Sequence, residues 1–249
     1  MLITKKDFVK YGCKLIDNKY YVNVGGKWYK LKKSKFAVNY SPIHVNDGMT
    51  GKMNGMCACS TSCACNRFCK ARMKNEEFIC NRCYADAIVE GNKGGRGKAL
   101  ADVLESNFEL LNSTVLPLEL LPRFPNISVS RIEAFGDVAS VICAINYANI
   151  AKVNPNVTFG WWSKNMNFLK QAFDAIGGKP QNIEVVQSSP IINQPAKKHP
   201  IADKVFTVYE KEYAEKHNII INCGARSCVT CLNCYHHGGE TYINELLKN

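Results

Sequence analysis

Eleven of the thirteen cysteines of this 249-residue chain fall into two groups. Cys57, Cys59, Cys63, Cys65, Cys69, Cys80 and Cys83 lie in the first, CACSTSCACNRFCKARMKNEEFICNRC. Cys223, Cys228, Cys231 and Cys234 form the second. Reduced thiols packed this densely are metal ligands. The Cys-x2-Cys-x2-Cys core of the second group is the spacing by which bacterial ferredoxins hold a 4Fe–4S cluster. A four-thiolate zinc site is the alternative. Zinc sites usually pair two Cys-x2-Cys knuckles across a longer loop, so the even spacing favours iron and sulfide. The first group holds more thiols than one ion or one cluster needs, which predicts spare cysteines or a second cluster. Metal storage is the weakest reading, because the flanking sequence is not of low complexity. Cys13 and Cys143 stand alone, and Cys143 reads as a small core residue.

A second chemical feature is Arg131-Ile-Glu133-Ala-Phe-Gly-Asp137. On a strand, Arg131 and Glu133 share a face, and Asp137 lies just beyond the strand's end. The C-terminal ends of parallel strands are where α/β folds put ligands, so these three are candidate cofactor-binding residues. The competing reading is an Arg–Glu pair with Asp137 capping the next helix. His236 and His237 follow Cys234 and read as loop histidines or alternative ligands.

The elements that must position these groups alternate. Residues 13–33 read as a small antiparallel unit with turns at Asp-Asn-Lys and Gly25-Gly26. FAVNYSPIHV (36–45) reads as a strand that precedes the first cysteine group. Helices are expected at 84–90 and from Ala99 to about residue 112, the latter from apolar residues three and four apart. Strands at 127–134, 157–162, 182–189 and 204–210 interleave with helices at 138–152, 165–176 and 211–217. NIIIN (218–222) reads as the last strand and the tail after Gly239 as a closing helix. This order predicts an α/β fold: a (β/α) partial barrel or an open, mostly parallel sheet of about six strands. Residues 1–35 form an N-terminal β-hairpin region and 36–249 a Cys-rich β/α domain. The break GNKGGRGK is not a phosphate loop, since its glycine spacing and the alanine after the lysine are wrong.

The net charge is +11, which favours an anionic partner such as nucleic acid, or offsets an anionic thiolate cluster. The first 30 residues lack the features of a signal peptide, and no apolar run reaches a membrane span. A cytoplasmic protein with reduced thiols is therefore expected, and a disulfide-stapled secreted one disfavoured. A small molecule or electron donor is the expected partner of a cluster protein.

In Cys80-Asn-Arg-Cys83-Tyr84-Ala85, in Arg131–Asp137 followed by an apolar helix and Asn154-Pro155, and in the C-terminal cysteines, the chain resembles the gene product eighty-eight family of bacteriophages. The resemblance spans roughly residues 50–249 and implies a phage origin, hence the cytoplasm of a host cell, but no particular reaction. More distantly, a cysteine loop ending in Cys-x2-Cys-Tyr-Ala before successive β-α units is similar to radical S-adenosylmethionine enzymes. That likeness implies Cys69, Cys80 and Cys83 as cluster ligands, on a loop after a first strand supplied by FAVNYSPIHV. It also implies that RIEAFGD lies near S-adenosylmethionine. The Cys-x3-Cys-x2-Cys motif of those enzymes is missing: Glu76 stands four residues before Cys80.

Overall fold

Asp17 and Asn18 both take left-handed backbone angles (φ 47° and 58°), as a two-residue hairpin turn requires. They fold β1 (Lys14–Ile16) back on β2 (Lys19–Val24), and Gly25-Gly26 turns β2 into β3 (Lys27–Lys30). The computed structural model describes residues 10–91, 96–224 and 227–247. Residues 1–9, and 92–95 of the glycine-rich break, lie outside them. The small sheet alternates: Val22, Val24 and Tyr29 turn inward and join the main core.

The large sheet has seven strands in the order β10-β9-β8-β7-β6-β5-β4. These are β4 (Val45–Asn46), β5 (Ala58–Cys59), β6 (Val129–Ile132), β7 (Thr158–Ser163), β8 (Ile183–Ser188), β9 (Lys204–Tyr209) and β10 (Tyr242–Leu246). Strands β5 to β10 are parallel, each beside its predecessor in sequence, and β4 is antiparallel to β5. Right-handed crossovers that always step the same way put their helices on one face.

That face carries α3 (Arg96–Ser113), α4 (Val141–Lys152) and α5 (Met166–Ala175). Ser140 caps α4 by accepting from Cys143 N–H, which satisfies one otherwise orphaned donor. Ile132, Trp161 and Val185, neighbours across β6, β7 and β8, point under these helices and are fully buried. The opposite face is covered by irregular chain instead, and the second cysteine group lies there.

Three expected elements differ. FAVNYSPIHV supplies only its last residue, Val45, to β4. The strand before the cysteine loop is β5, which itself carries Cys59. NIIIN is not a strand, although its residues are β-branched. Asn218 turns the chain (φ 52°), Ile220 is 79% exposed, and the Asn222 side chain takes the place of a ladder by bonding Tyr242 O and Asn244 N at 2.9 and 2.8 Å. The tail is the strand β10 rather than a helix: Ile243 is buried while Tyr242 is exposed, and the segment pairs in parallel with β9. The unpaired edge of β9 decides this, because edge hydrogen bonds override weak local propensity.

Candidate metal centre

Strand β5 sorts the first cysteine group by face. Cys57 and Cys59 point to the helix side and join the main core, fully buried. The Cys57 sulfur lies 3.4 Å from Ser130 Oγ, and burial pushes its thiol up to about 11. Burial also pushes Cys59 well above the ordinary thiol range. The chain then crosses the C-terminal edge of the sheet. Ser60, Thr61 and Asn66 fasten this crossing to the end of β6: Ala134 N–H donates to Ser60 Oγ, Thr61 donates twice to Glu133, and Asn66 Nδ2 donates to Asp137 O. Gly136 permits the approach, since a β-carbon there would lie 2.6 Å from the Thr61 carbonyl oxygen. Asn66 also caps α1 (Arg67–Met73), which carries the buried Cys69.

Beyond α1 the chain is tied across the sheet's edge, with Ile79 N–H donating to Pro190 O at 2.9 Å. A single 3₁₀ turn, Ile79–Arg82, holds Cys80, and Cys83 directly precedes α2 (Tyr84–Gly91). Four thiols are linked pairwise here. Cys63 donates to Cys83, and the fields of Cys83 and Cys69 act on Cys63 as that of Cys80 acts on Cys69. The bond from Cys63 holds Cys83 below the ordinary thiol range against burial, and the N–H groups of Asp86 and Ala85 assist. The shift favours the thiolate of Cys83, and the N–H groups at the first turn of the helix act in the same direction. Cys63 is raised by the same bond and by burial, and Cys69 by burial and Asp137. Lys164, after β7, pulls Cys69 and Cys83 back toward the thiolate. Cys65 is half-buried in the turn before α1.

The RIEAFGD segment departs from the expected geometry. Strand β6 ends at Ile132, and Glu133 has a φ of 60°. That left-handed residue breaks the alternation, so Arg131 and Glu133 do not share a face and do not pair. Glu133 turns inward and accepts from Thr61 N–H, Thr61 Oγ1 and the Tyr147 hydroxyl. Burial outweighs those bonds and pushes its carboxyl up to about 7. Asp137 accepts from Arg72, Ser163, Val138 N–H and Lys164 N–H. Both carboxylates therefore bind the loops that carry the thiols.

Arg131 lies on the other face, its guanidinium 4.0 Å from the Trp162 ring centroid, a cation–π contact. There it meets the second cysteine group. Cys223 is joined by backbone to β10, where its N–H donates to Asn244 O. Cys228 and Cys231 begin and end a single helical turn (Cys228–Cys231), and Cys234 follows. The fields of Cys223, Cys228 and Cys231 all act on Cys234, which burial pushes up to about 12. Burial raises Cys223 and Cys228 as well. Two cations oppose this. Arg131 acts on Cys228 and Cys234, and Lys52 lies 3.8 Å from the Cys223 sulfur. Next in sequence, Tyr235 lies against Gly160, where a β-carbon would be 2.6 Å from its ring. His237 pairs with Glu184 and bonds Gln181 O at 2.7 Å.

The two groups share one layer. Met53 packs both with the cluster holding Cys63, Cys69 and Cys83 and with that holding Cys228 and Cys234. Among the described residues, no three Cys, His, Asp or Glu side chains close on one point as ligands of a single ion do. As donors, both groups are all-thiol and soft, a set suited to iron–sulfur clusters or zinc. Lys52, Met53 and Tyr235 were not evident from sequence. No protein-family model, curated protein or solved structure matches the chain.

Proposed function

We propose that the chain is an iron–sulfur protein with two cluster-binding thiol groups on the concave face of a partial (β/α) barrel. Cys63, Cys69, Cys80 and Cys83 hold one cluster and Cys223, Cys228, Cys231 and Cys234 the other. The pairwise interactions that link Cys63, Cys69, Cys80 and Cys83 where the parallel strands end carry this reading, because α/β sheets put their ligand chemistry there. Lys52, in the turn before β5, reaches Glu245 on β10 at 2.6 Å and so brings the approach to the first thiol group beside the second.

A 4Fe–4S cluster supplies one-electron transfer and, where an iron corner is left open, a binding point for S-adenosylmethionine. The protein's own residues do the rest. The Cys63 bond favours the Cys83 thiolate, Lys164, Arg131 and Lys52 offset negative charge, and Met53, Phe135 and Trp162 exclude water. A redox or radical-type enzyme of phage origin, working in a host cytoplasm with an electron donor, fits this arrangement. In the radical branch Cys69, Cys80 and Cys83 are the ligands and Cys63 is spare.

Anaerobic purification followed by iron, acid-labile sulfide and zinc analysis tests the proposal. A brown protein with iron and sulfide in near-equal amounts is expected, and S-adenosylmethionine perturbing the reduced protein's spin-resonance spectrum would support the radical branch. A colourless protein with stoichiometric zinc would replace this reading with that of a zinc-stabilised, basic nucleic-acid-binding protein.

A further inference from the structure

Residues 10–35 contain eight lysines and one aspartate, Asp17, so a large part of the chain's positive charge is on the small N-terminal sheet. Its register arranges that charge. Lys14, Tyr21 and Lys30 lie side by side across β1, β2 and β3. Period-two alternation sends them to the face opposite Val22 and Tyr29, which are buried in the core. Trp28 opens to the same face and is 38% exposed. The Lys14 ammonium lies 4.6 Å from its ring centroid. An exposed tryptophan and a tyrosine between lysines are more than a solvated edge needs, since lysine alone protects an edge.

Past β3 the row of lysines runs into a cleft of about 260 Å³, lined in part by Lys32, Lys33, Ser34, Ser41 and His44. Lys32 is lowered by burial and by its neighbour Lys30. Beneath it His44 is lowered to about 4, chiefly by burial and then by Lys32, and its Nδ1 is buried without a partner. Positive charge is thus crowded where an anion would relieve it. Asp47, the acidic group of this cleft, is engaged by Ser34 Oγ and Lys35 N–H.

We propose that the outer face of this three-stranded sheet binds single-stranded nucleic acid, with Tyr21 and Trp28 stacking bases and Lys14, Lys30 and Lys32 holding phosphates. Stacking aromatics within a positive surface are the physical basis of binding without base-edge readout. A base takes the Lys14 ammonium's place on the indole, and the four-carbon stem lets that ammonium swing to a phosphate. Duplexes fit this face less well, because their bases are not free to stack. The inference is independent of what the cysteines hold.

Fluorescence anisotropy of the purified full chain with labelled oligo-dT and oligo-U of about 12 nucleotides tests this. Binding of either single strand, tighter than that of a duplex, is expected. Trp28→Ala and Tyr21→Ala should each weaken it by about tenfold, and Trp28→Phe should preserve it. Lys14→Gln and Lys30→Gln should each reduce the salt slope by about 0.7. Trp161 and Trp162 are buried, so quenching of tryptophan emission on binding should disappear in Trp28→Phe. Equal binding by all variants, a preference for duplex, or binding only to anionic phosphatidylserine vesicles would overturn the proposal. If Trp28→Ala fails to fold, the lysine variants and Trp28→Phe still decide it.

Discussion

Lys52 and Glu245, 193 residues apart, form an ion pair at 2.6 Å, and the same ammonium lies 3.8 Å from the sulfur of Cys223. Both partners are more than two-thirds buried, so the pair closes the turn before β5 onto the last strand beside a thiol. Lys52→Met should take the buried ammonium away from the Glu245 carboxylate at a cost of about 1–3 kcal/mol. Urea unfolding measures that cost. In a double-mutant cycle, adding Glu245→Gln should cost less in the Lys52→Met background than in the wild type.

Gly160 and Gly136 each admit one cysteine loop to the sheet. A β-carbon at Gly160 would meet the Tyr235 ring at 2.6 Å, and one at Gly136 the Thr61 carbonyl at 2.6 Å. Gly160→Ala should therefore displace the second thiol group and Gly136→Ala the first, each costing about 1–3 kcal/mol by overpacking. Mass-spectrometric alkylation of the metal-free variants should show Cys234 newly reactive in Gly160→Ala and Cys69 in Gly136→Ala. The same pattern in both variants would mean that the loops do not respond separately.

Glu133 and His44 have opposite effects on stability over one pH range. Glu133 is raised to about 7, so the folded chain binds its proton more tightly than the unfolded one. Its contribution is complete below about pH 4.5 and is lost as pH rises to 7. His44 is lowered to about 4, so its contribution is present above about pH 6.5 and lost as pH falls toward 4. Each is on the order of 3 kcal/mol. Glu133→Gln should make stability rise more steeply from pH 4.5 to 7, and His44→Gln should make it rise less. Urea midpoints across that range measure both slopes.

Strands β6, β7, β8 and β9 and helices α4 and α5 were legible in sequence because β-branched runs alternate with one mostly apolar and one amphipathic helical run between clear turns. The Asp17-Asn18 hairpin was legible for the same local reason. What was not legible depends on single backbone angles or on distant partners. Nothing around Glu133 signals its left-handed φ, yet that angle separates it from Arg131. The edge of β9 makes a strand of Tyr242–Leu246, and the Asn222 side chain keeps Asn218–Asn222 from being one. In the first cysteine group, spacing marked a surplus. Only the pleat of β5, and the crossing that follows it, sorts Cys57 and Cys59 from Cys63, Cys69, Cys80 and Cys83.

That sorting gives a direct contrast between cysteines. Cys57 and Cys59 lie in the main core, where burial keeps them as neutral thiols. Replacing either with alanine removes one buried sulfur and should cost on the order of 1 kcal/mol, the scale of a buried methylene. Metal content should not change. Cys83 is held below the ordinary thiol range by the Cys63 thiol and two backbone N–H groups. In metal-free protein its alkylation midpoint should lie below that of an ordinary thiol, and Cys63→Ala should move that midpoint upward. Replacing Cys69, Cys80 or Cys83 with alanine should remove the first site's metal, measured by iron and zinc analysis, with little change in the core's stability. If Cys57→Ala or Cys59→Ala removes metal while Cys80→Ala does not, the ligands lie on the helix side of β5, and the assignment of the first site is wrong.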